Sequence, residues 1–571
     1  MNQKFTIKGV GEITLSNKDY LDSGGEADIY AKGGMAYKIY KDATKMLPVA
    51  KIQELSVLTH PNIIKPQQLL LDKKNKPIGY SMRLVKGVAL CQLFTKAFRQ
   101  RNNIDNDQIV ELVKTLYSMV DYIHQQGVLV VDLNEMNFLV NSVFKEIYAI
   151  DVNSYQTSSF PATVIMDTVR DRHCNNVFNK ETDWFSWGIL TFQMLVGIHP
   201  YKGNHPDTQN IARDEWLNHR MLNDISVFNK DATMPKICQS FDVIPSALRQ
   251  WYKAVFEDGK RIAPPKDFQS AIQLIATIKN IIGGHLFDIM EIESFTSDIL
   301  SYYYYEGDRL VLTDKTANIN GRQYSVPCND CKFTFTPKLM RPIAVYLEGE
   351  IVRVFDILNQ VQLPFVCNGD ALTQCDNRIY IQNGMNILEL EFIEGKNLQC
   401  YANAVTDVLD MPNATKVFDG VIMQNLMGRF FASIFPASGY CYQIGIPELD
   451  HNKIVDAKYE KNVLVVIVAR RSGEYDRYVF RFNSDYQKYD LRKVENITYT
   501  GLNFTVNDID VCTLHEEEKL EAFSNKKDAG TVKVLDDPAL ESDMRLYHDG
   551  TKIMFTRGNK LHSIAMRKSI P

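Results

Sequence analysis

The rhythm of apolar and polar positions divides this chain in two. Up to about residue 283, strand-like runs mix with helix-period stripes. From about residue 290 the helical period fades and brief β-rich runs recur. In the first part, two strand-like runs flank Ser23-Gly24-Gly25. A second glycine pair, Gly33-Gly34, turns the chain into a strand ending at Lys38. Residues 45–58 predict a helix after Pro48, with Ile52, Leu55 and Leu58 on one face and His60-Pro61-Asn62 as its stop. Gln67 to Asp72 and Ile78 to Val85 read as strands joined by a lysine-rich turn. Val88 to Phe98 and Ile109 to Gln125 predict helices, the second with an apolar stripe from Val110 to Ile123. Phe138-Leu139-Val140 and Ile147-Tyr148-Ala149-Ile150 predict a tight hairpin that delivers Asp151 at its end. Gln269 to Ile282 predicts a last helix before the break at Gly283-Gly284.

The second part carries short runs at Leu310 to Thr313, Ile343 to Leu347, Val352 to Ile357, Ile379 to Ile381, Ile387 to Phe392, Val463 to Ala469, Arg477 to Phe482 and Lys552 to Thr556. Turn signals such as Asn383-Gly384 and Asp549-Gly550-Thr551 separate them. Short strands at even spacing predict a β-propeller of about six or seven blades at ~40 residues each. One or two β-sandwiches are the alternative. No W-D or kelch signature is present.

Composition changes this picture little. At 571 residues the chain is too long for one core. With 45% apolar residues, 23% charged and a net charge of −5, it has the balance of a soluble globular protein and no basic excess for nucleic acid. No window approaches the ~18 apolar residues of a spanning helix. Met1 to Gly11 shows no signal peptide, which predicts a cytoplasmic protein without a membrane partner. Ten scattered cysteines suit reduced thiols. Cys328-Asn329-Asp330-Cys331, with Cys367 and Cys375 downstream, is spaced too loosely for a zinc knuckle and reads as ordinary thiols.

Candidate chemistry concentrates between Leu129 and Asn153. Asp132, Asn137 and Asp151 place an acid, an amide and a second acid around a loop and hairpin, a set able to hold a divalent cation beside a nucleophile. The Ser23-Gly24-Gly25 loop would let backbone N–H groups approach phosphates, and Lys38 could reach their oxygens. Taken alone, that loop reads first as a plain hairpin with a flexible tip, since short glycine-rich loops are common.

Five strands with one inserted helix, a connector, then helix, loop and hairpin form an order that resembles the protein-kinase superfamily over residues 15–283. The likeness is to its divergent bacterial and phage members. Gly24 and Ala27 stand in the glycine-rich pattern, and Ala36-Tyr37-Lys38 resembles the Ala-x-Lys strand. Val-Asp-Leu-Asn-Glu-Met-Asn at 131–137 resembles the catalytic loop. Asp151-Val152-Asn153 stands for Asp-Phe-Gly, and Asp183 to Gly188 resembles the start of the large central helix. Gly197-Ile-His-Pro-Tyr201 and Arg261 complete the series. The resemblance implies a two-lobed α+β kinase-like domain at 1–285, with the small lobe at 15–85 and the large lobe at 86–285. An all-β, propeller-like domain follows at 290–571.

It also implies roles. Asp132 orients the acceptor hydroxyl, Lys38 holds phosphates, and Asn137 and Asp151 hold Mg²⁺. Gly24, Gly25, Ile29, Ala36, Met82, Arg83 and Val85 surround ATP. Val131 replaces the arginine that grips a phosphorylated loop, so no loop phosphorylation is expected. Asn134 replaces the catalytic lysine and would offer a phosphate only an uncharged amide. The helix glutamate that pairs with Lys38 is expected at Glu54, although counting back from His60-Pro61 reaches Lys51. An ion pair between Asp171 and Arg261 is expected to tie the activation segment to the large lobe. The function implied is ATP- and Mg²⁺-dependent phosphorylation of a protein hydroxyl, serine or threonine by default, with the β domain recognising a protein substrate or partner. The alternative is a pseudokinase scaffold that binds nucleotide or partners without turnover.

Overall fold

A computed structural model describes residues 3–162, 165–174, 177–266, 268, 286–516, 518–526 and 532–567. The helix expected over 269–282 lies outside the described residues.

The small lobe is a seven-stranded antiparallel sheet. Its strands are β1 (Gln3–Ile7), β2 (Gly11–Leu15), β3 (Tyr20–Ser23), β4 (Ala27–Lys32), β5 (Met35–Tyr40), β6 (Gln68–Leu71) and β7 (Pro77–Arg83), in the order β2-β1-β6-β7-β5-β4-β3. The hairpin β1–β2 precedes the five expected strands and extends the sheet at the β6 edge. Lys38 pairs with Tyr80 and Ile39 with Gly79 where β5 and β7 run side by side. A Cβ at Gly79 would stand 2.1 Å from the Lys38 carbonyl oxygen, so this close approach requires glycine. The inserted helix α1 (Val49–Glu54) is short and tightens into a 3₁₀ turn at Leu55–Val57.

In the large lobe, the stretch expected as one helix from Val88 divides. Val88–Ala89 forms β8, a 3₁₀ turn spans Leu90–Phe94, and α2 is Lys96–Arg101. Helix α3 (Asn106–Gln125) starts at a capping box of Asp105 and Gln108, which satisfies donors that the first turn leaves open. β9 (Phe138–Val140) and β10 (Ile147–Ala149) make the expected hairpin, with β8 beside β9. Helix α4 (Lys180–Val196) is buried along nearly its whole length and ends at Gly197 in the left-handed region. α5 (Trp216–Leu222) and α6 (Ser246–Phe256) complete the lobe.

From Phe287 the chain forms seven four-stranded antiparallel sheets. Each β-run expected from the sequence falls within one of their strands, except that the run from Val352 to Ile357 passes the end of its strand at Asp356 by one residue. Six sheets use consecutive strands. The seventh joins β11 (Phe287–Ser294) to the last three strands of the chain, Phe287 pairing with Met566 and Ser294 with Lys560. The two ends of this region are thus stitched together. No described helix is long and apolar enough to cross a membrane.

The two regions share a core. Val455, Ile467, Ala469, Tyr475 and Ile497 of the β region are buried in the same apolar cluster as the large lobe. Met411 and Ala414 pack with Phe5, Tyr20 and Tyr30 of the small lobe. Both lobes therefore rest on one face of the β region.

Candidate active site

The catalytic loop is held by a carboxylate beneath it. Asp183, fully buried at the start of α4, accepts hydrogen bonds from the backbone N–H groups of Val130 (2.7 Å) and Val131 (2.8 Å), and its Oδ2 lies 2.9 Å from His124 Nε2. Val131 adopts φ 62°, a costly conformation for a β-branched residue. The two bonds to Asp183 hold it there, and strain of this kind persists only where surrounding structure over-determines it.

Asp132 follows, half-buried. Its Oδ1 accepts from the backbone N–H of Met166 (2.8 Å), and its Oδ2 accepts from Asn137 Nδ2 (3.3 Å). Burial pushes its carboxyl above the usual carboxylate range, against the hydrogen bonds from Met166, Asn134 and Asn137. Asn137 also donates to the Asp132 carbonyl oxygen at 2.9 Å, so its own amide oxygen remains as an acceptor. Asp151 Oδ2 lies 3.4 Å from Lys38 Nζ, and its Oδ1 accepts from the Asn153 N–H at 3.1 Å. Burial opposes the charge on Lys38, but the attraction of Asp151 and Tyr40 outweighs it and raises its pKa.

One cavity of about 2080 Å³ runs from the lobes into the β region as far as Tyr302, Tyr459 and Tyr547, and on the side of the lobes it is lined by Gly24, Gly25, Ile29, Ala36, Lys38, Met82, Arg83, Val85, Asn137 and Asp151. Every nucleotide and metal residue expected from the sequence meets there except Glu54. That residue turns away from the cleft and accepts from the Ser159 N–H (3.2 Å) and Ser158 hydroxyl (3.3 Å) of the activation segment. The expected Glu54–Lys38 pair is therefore corrected: Lys38 pairs with Asp151. The reason is helical phase. Lys51 and Leu55, four apart, share the inward face of α1 and are buried, which leaves Glu54 off that face. Lys51 donates to the Asn153 carbonyl oxygen at 2.7 Å, and burial lowers its pKa. The helix position expected to carry a carboxylate thus carries an ammonium.

Asn134 is also corrected. It is buried, its Oδ1 accepts from the Met136 N–H at 2.9 Å, and its Nδ2 donates to the Asp132 carbonyl oxygen at 3.3 Å. It caps the short 3₁₀ turn Glu135–Asn137 with its amide oxygen, as asparagine does well, and one of its two N–H donors is directed at the Asp132 backbone. The expected Asp171–Arg261 pair is present and bidentate, at 2.6 and 2.9 Å. Cys328 and Cys331 place their sulfurs 3.4 Å apart, whereas Cys367 and Cys375 bond to the Asn368 and Phe435 carbonyls.

Sequence reasoning missed how the β region joins the site. Gln92 Nε2 donates to the Val455 carbonyl (2.6 Å), and Asn425 Nδ2 to Asp22 beside the glycine loop (3.1 Å). The Tyr475 hydroxyl donates to Glu135 in the catalytic loop. No local signal marks these residues, because their partners lie in the other half of the chain.

A glycine loop over a lysine, with an acid and an amide near a half-buried aspartate, is the arrangement that the kinase-like reading of the sequence expects. Residues 26–253 match the family model described as the protein kinase domain, and this stretch of the chain is similar to that family. Over 188 residues it is 27% identical to the serine/threonine-protein kinase KIN4 of Saccharomyces cerevisiae, covering 31% of this chain and 22% of that protein. It is 28% identical over 171 residues to the cAMP-dependent protein kinase type 3 of the same yeast, covering 28% of this chain and 40% of that one. It is also 25% identical over 237 residues to an inactive receptor-like serine/threonine-protein kinase of Arabidopsis thaliana, covering 41% and 47%. The chain spans less than half the length of each of these relatives.

Proposed function

We propose that this chain is an ATP- and Mg²⁺-dependent kinase that transfers a phosphoryl group to a protein hydroxyl, serine or threonine. The observation that carries this reading is the meeting of Lys38, Asn137 and Asp151 with the glycine loop on one cavity, next to Asp132. The donor set fits the ligands. The Asp151 carboxylate and the Asn137 amide oxygen are hard oxygen donors of the kind Mg²⁺ prefers. Ile29, Ala36 and Met82 offer an apolar slot for a base. Mg²⁺ would neutralise charge developing on the phosphates.

Asp132 would accept the hydroxyl proton as the acceptor oxygen bonds to the γ-phosphorus. The bond to the β–γ bridging oxygen breaks in the same step, and its electron pair leaves on the diphosphate. Lys38 would hold the α- and β-phosphates once released from direct contact with Asp151. The serine/threonine name of the yeast relative KIN4 supports that acceptor class.

The seven sheets are proposed as the blades of a β-propeller. The support is their equal strand count and the pairing of β11 with the last strand, the kind of pairing that a closed ring of sheets would use. Its proposed role is to bind a protein substrate or partner.

A pseudokinase scaffold is the second reading. Lys51 at the helix position and the Met166 N–H capping Asp132 favour it. Incubation of the full chain with γ-labelled ATP, Mg²⁺ and a generic protein acceptor separates the two. Label transfer that Asp132→Asn abolishes supports the kinase. Absence of transfer from the unaltered chain supports the scaffold.

A further inference from the structure

The catalytic loop, Val131 to Asn137, contains no lysine or arginine and so brings no cation to the phosphates. The β region brings one. Strands Val463–Ala469 and Tyr475–Phe482 are joined by a turn that projects into the cleft between the lobes. One flank of this turn is fixed to the large lobe. Tyr475 bonds Glu135, and Gly473, at φ 89°, packs so tightly that a Cβ would stand 2.3 Å from Thr168 Oγ1 and 2.6 Å from the Met166 side chain. Arg470 braces the turn internally, bonding Asp476 at 2.8 and 2.5 Å and Glu474 at 3.3 Å.

Arg471 is different. It is exposed and has no hydrogen bond or ion pair among the described residues, while its neighbour holds both nearby carboxylates. Its guanidinium lies against the tip of the glycine loop, where a Cβ built on Gly25 would stand 2.1 Å from Nη2. It lines the same cavity as Lys38, Asn137 and Asp151.

We infer that Arg471 is a phosphate-binding catalytic residue supplied in cis by the β region, contacting the terminal phosphate of ATP in place of the missing catalytic lysine. This rests on the kinase reading above. A guanidinium presents a planar fork of donors suited to phosphate oxygens, and it keeps its charge at every working pH. Arginines that stabilise charge in phosphoryl transfer raise rates by about 10³-fold or more. Gly25 is then needed for two reasons, since a side chain there would block both the phosphates and the arginine.

The test is calorimetric titration of the full-length protein with Mg-ATP and Mg-ADP, alongside turnover. Arg471→Ala is expected to weaken ATP binding about tenfold or more, to leave ADP binding within about twofold, and to lower kcat by at least ~10-fold. Arg471→Lys should recover part of the ATP preference. Equal ATP and ADP affinities in Arg471→Ala and the unaltered chain, beside an Asp151→Asn variant that loses Mg²⁺ dependence, would overturn the Arg471 assignment and leave the kinase reading intact. Tighter binding or faster turnover in Arg471→Ala would overturn it too, since the turn would then only obstruct. If the unaltered chain binds neither nucleotide, the kinase reading and this inference fail together.

Discussion

At the residue scale, the proposed chemistry depends on Asp132, a half-buried aspartate. Burial raises the Asp132 pKa, so the carboxylate form is lost at a higher pH than for a carboxylate in water, near 3.9. Asp132 acts only when ionised, so activity should fall with acidification at a pH above the ordinary carboxylate range. A kcat–pH profile checks this, and an acid limb at or below ~4 would contradict it. The Asp171–Arg261 pair is the second residue-scale case. Asp171 is 4% exposed, so Arg261→Ala strands a buried charge. The expected loss is about 3–5 kcal/mol, read as a lower urea midpoint, with Asp171→Asn/Arg261→Ala recovering part of it. This pair was legible in the sequence because both residues sit at fixed offsets from recognisable motifs. Glu54 was not, because its orientation depends on the phase of a helix only six residues long, which a one-residue shift reverses.

At the scale of elements, the sequence carried the strands and the long helices well, since a period of two or 3.6 over many residues leaves little ambiguity. It failed at Val88 to Phe98, where an apolar run fits a helix equally well but the chain must turn to bring β8 beside β9. The turn at 470–474 was also invisible as a functional element. Its packing yields a prediction. Gly473→Val cannot hold φ 89° or clear Met166 and Thr168, so the activation segment should be pushed from Asp132. Limited proteolysis should then cut within 165–174 in the variant and spare the unaltered chain. Equal protection in both would show that the turn does not brace that segment.

At the scale of the whole molecule, the β region and the lobes share a half-exposed ion pair as well as apolar core. Arg101 of α2 faces Asp419 at 3.8 Å, and Asp419 also pairs with Lys332 at 3.2 Å. Beside them, burial and the neighbouring Asp419 raise Asp456 to about 7. The sign follows from linkage. An acid whose folded pKa exceeds its unfolded value near 3.9 favours the folded state when protonated, so stability drains as pH rises from about 4 to about 7 and stays low above. Asp456→Asn should therefore be more stable than the unaltered chain at pH 8 and show the smaller gap at pH 5. Melting temperatures at the two pH values decide it, and a gap that widens on acidification would contradict it. None of this was readable from sequence, because the partners lie far apart along the chain, Arg101 in one half and Lys332, Asp419 and Asp456 in different sheets of the other.

The account's central claim is that the glycine loop, Lys38, Asn137 and Asp151 form one site for ATP with Mg²⁺. Its most direct test is the dissociation constant of ATP for the full chain, measured by calorimetry with Mg²⁺ and with Mg²⁺ chelated, in the unaltered protein and in Asp151→Asn. The account predicts binding at least ~10-fold tighter with Mg²⁺, and loss of that difference in the variant. ATP binding that ignores both Mg²⁺ and Asp151, or no binding at all, would contradict it.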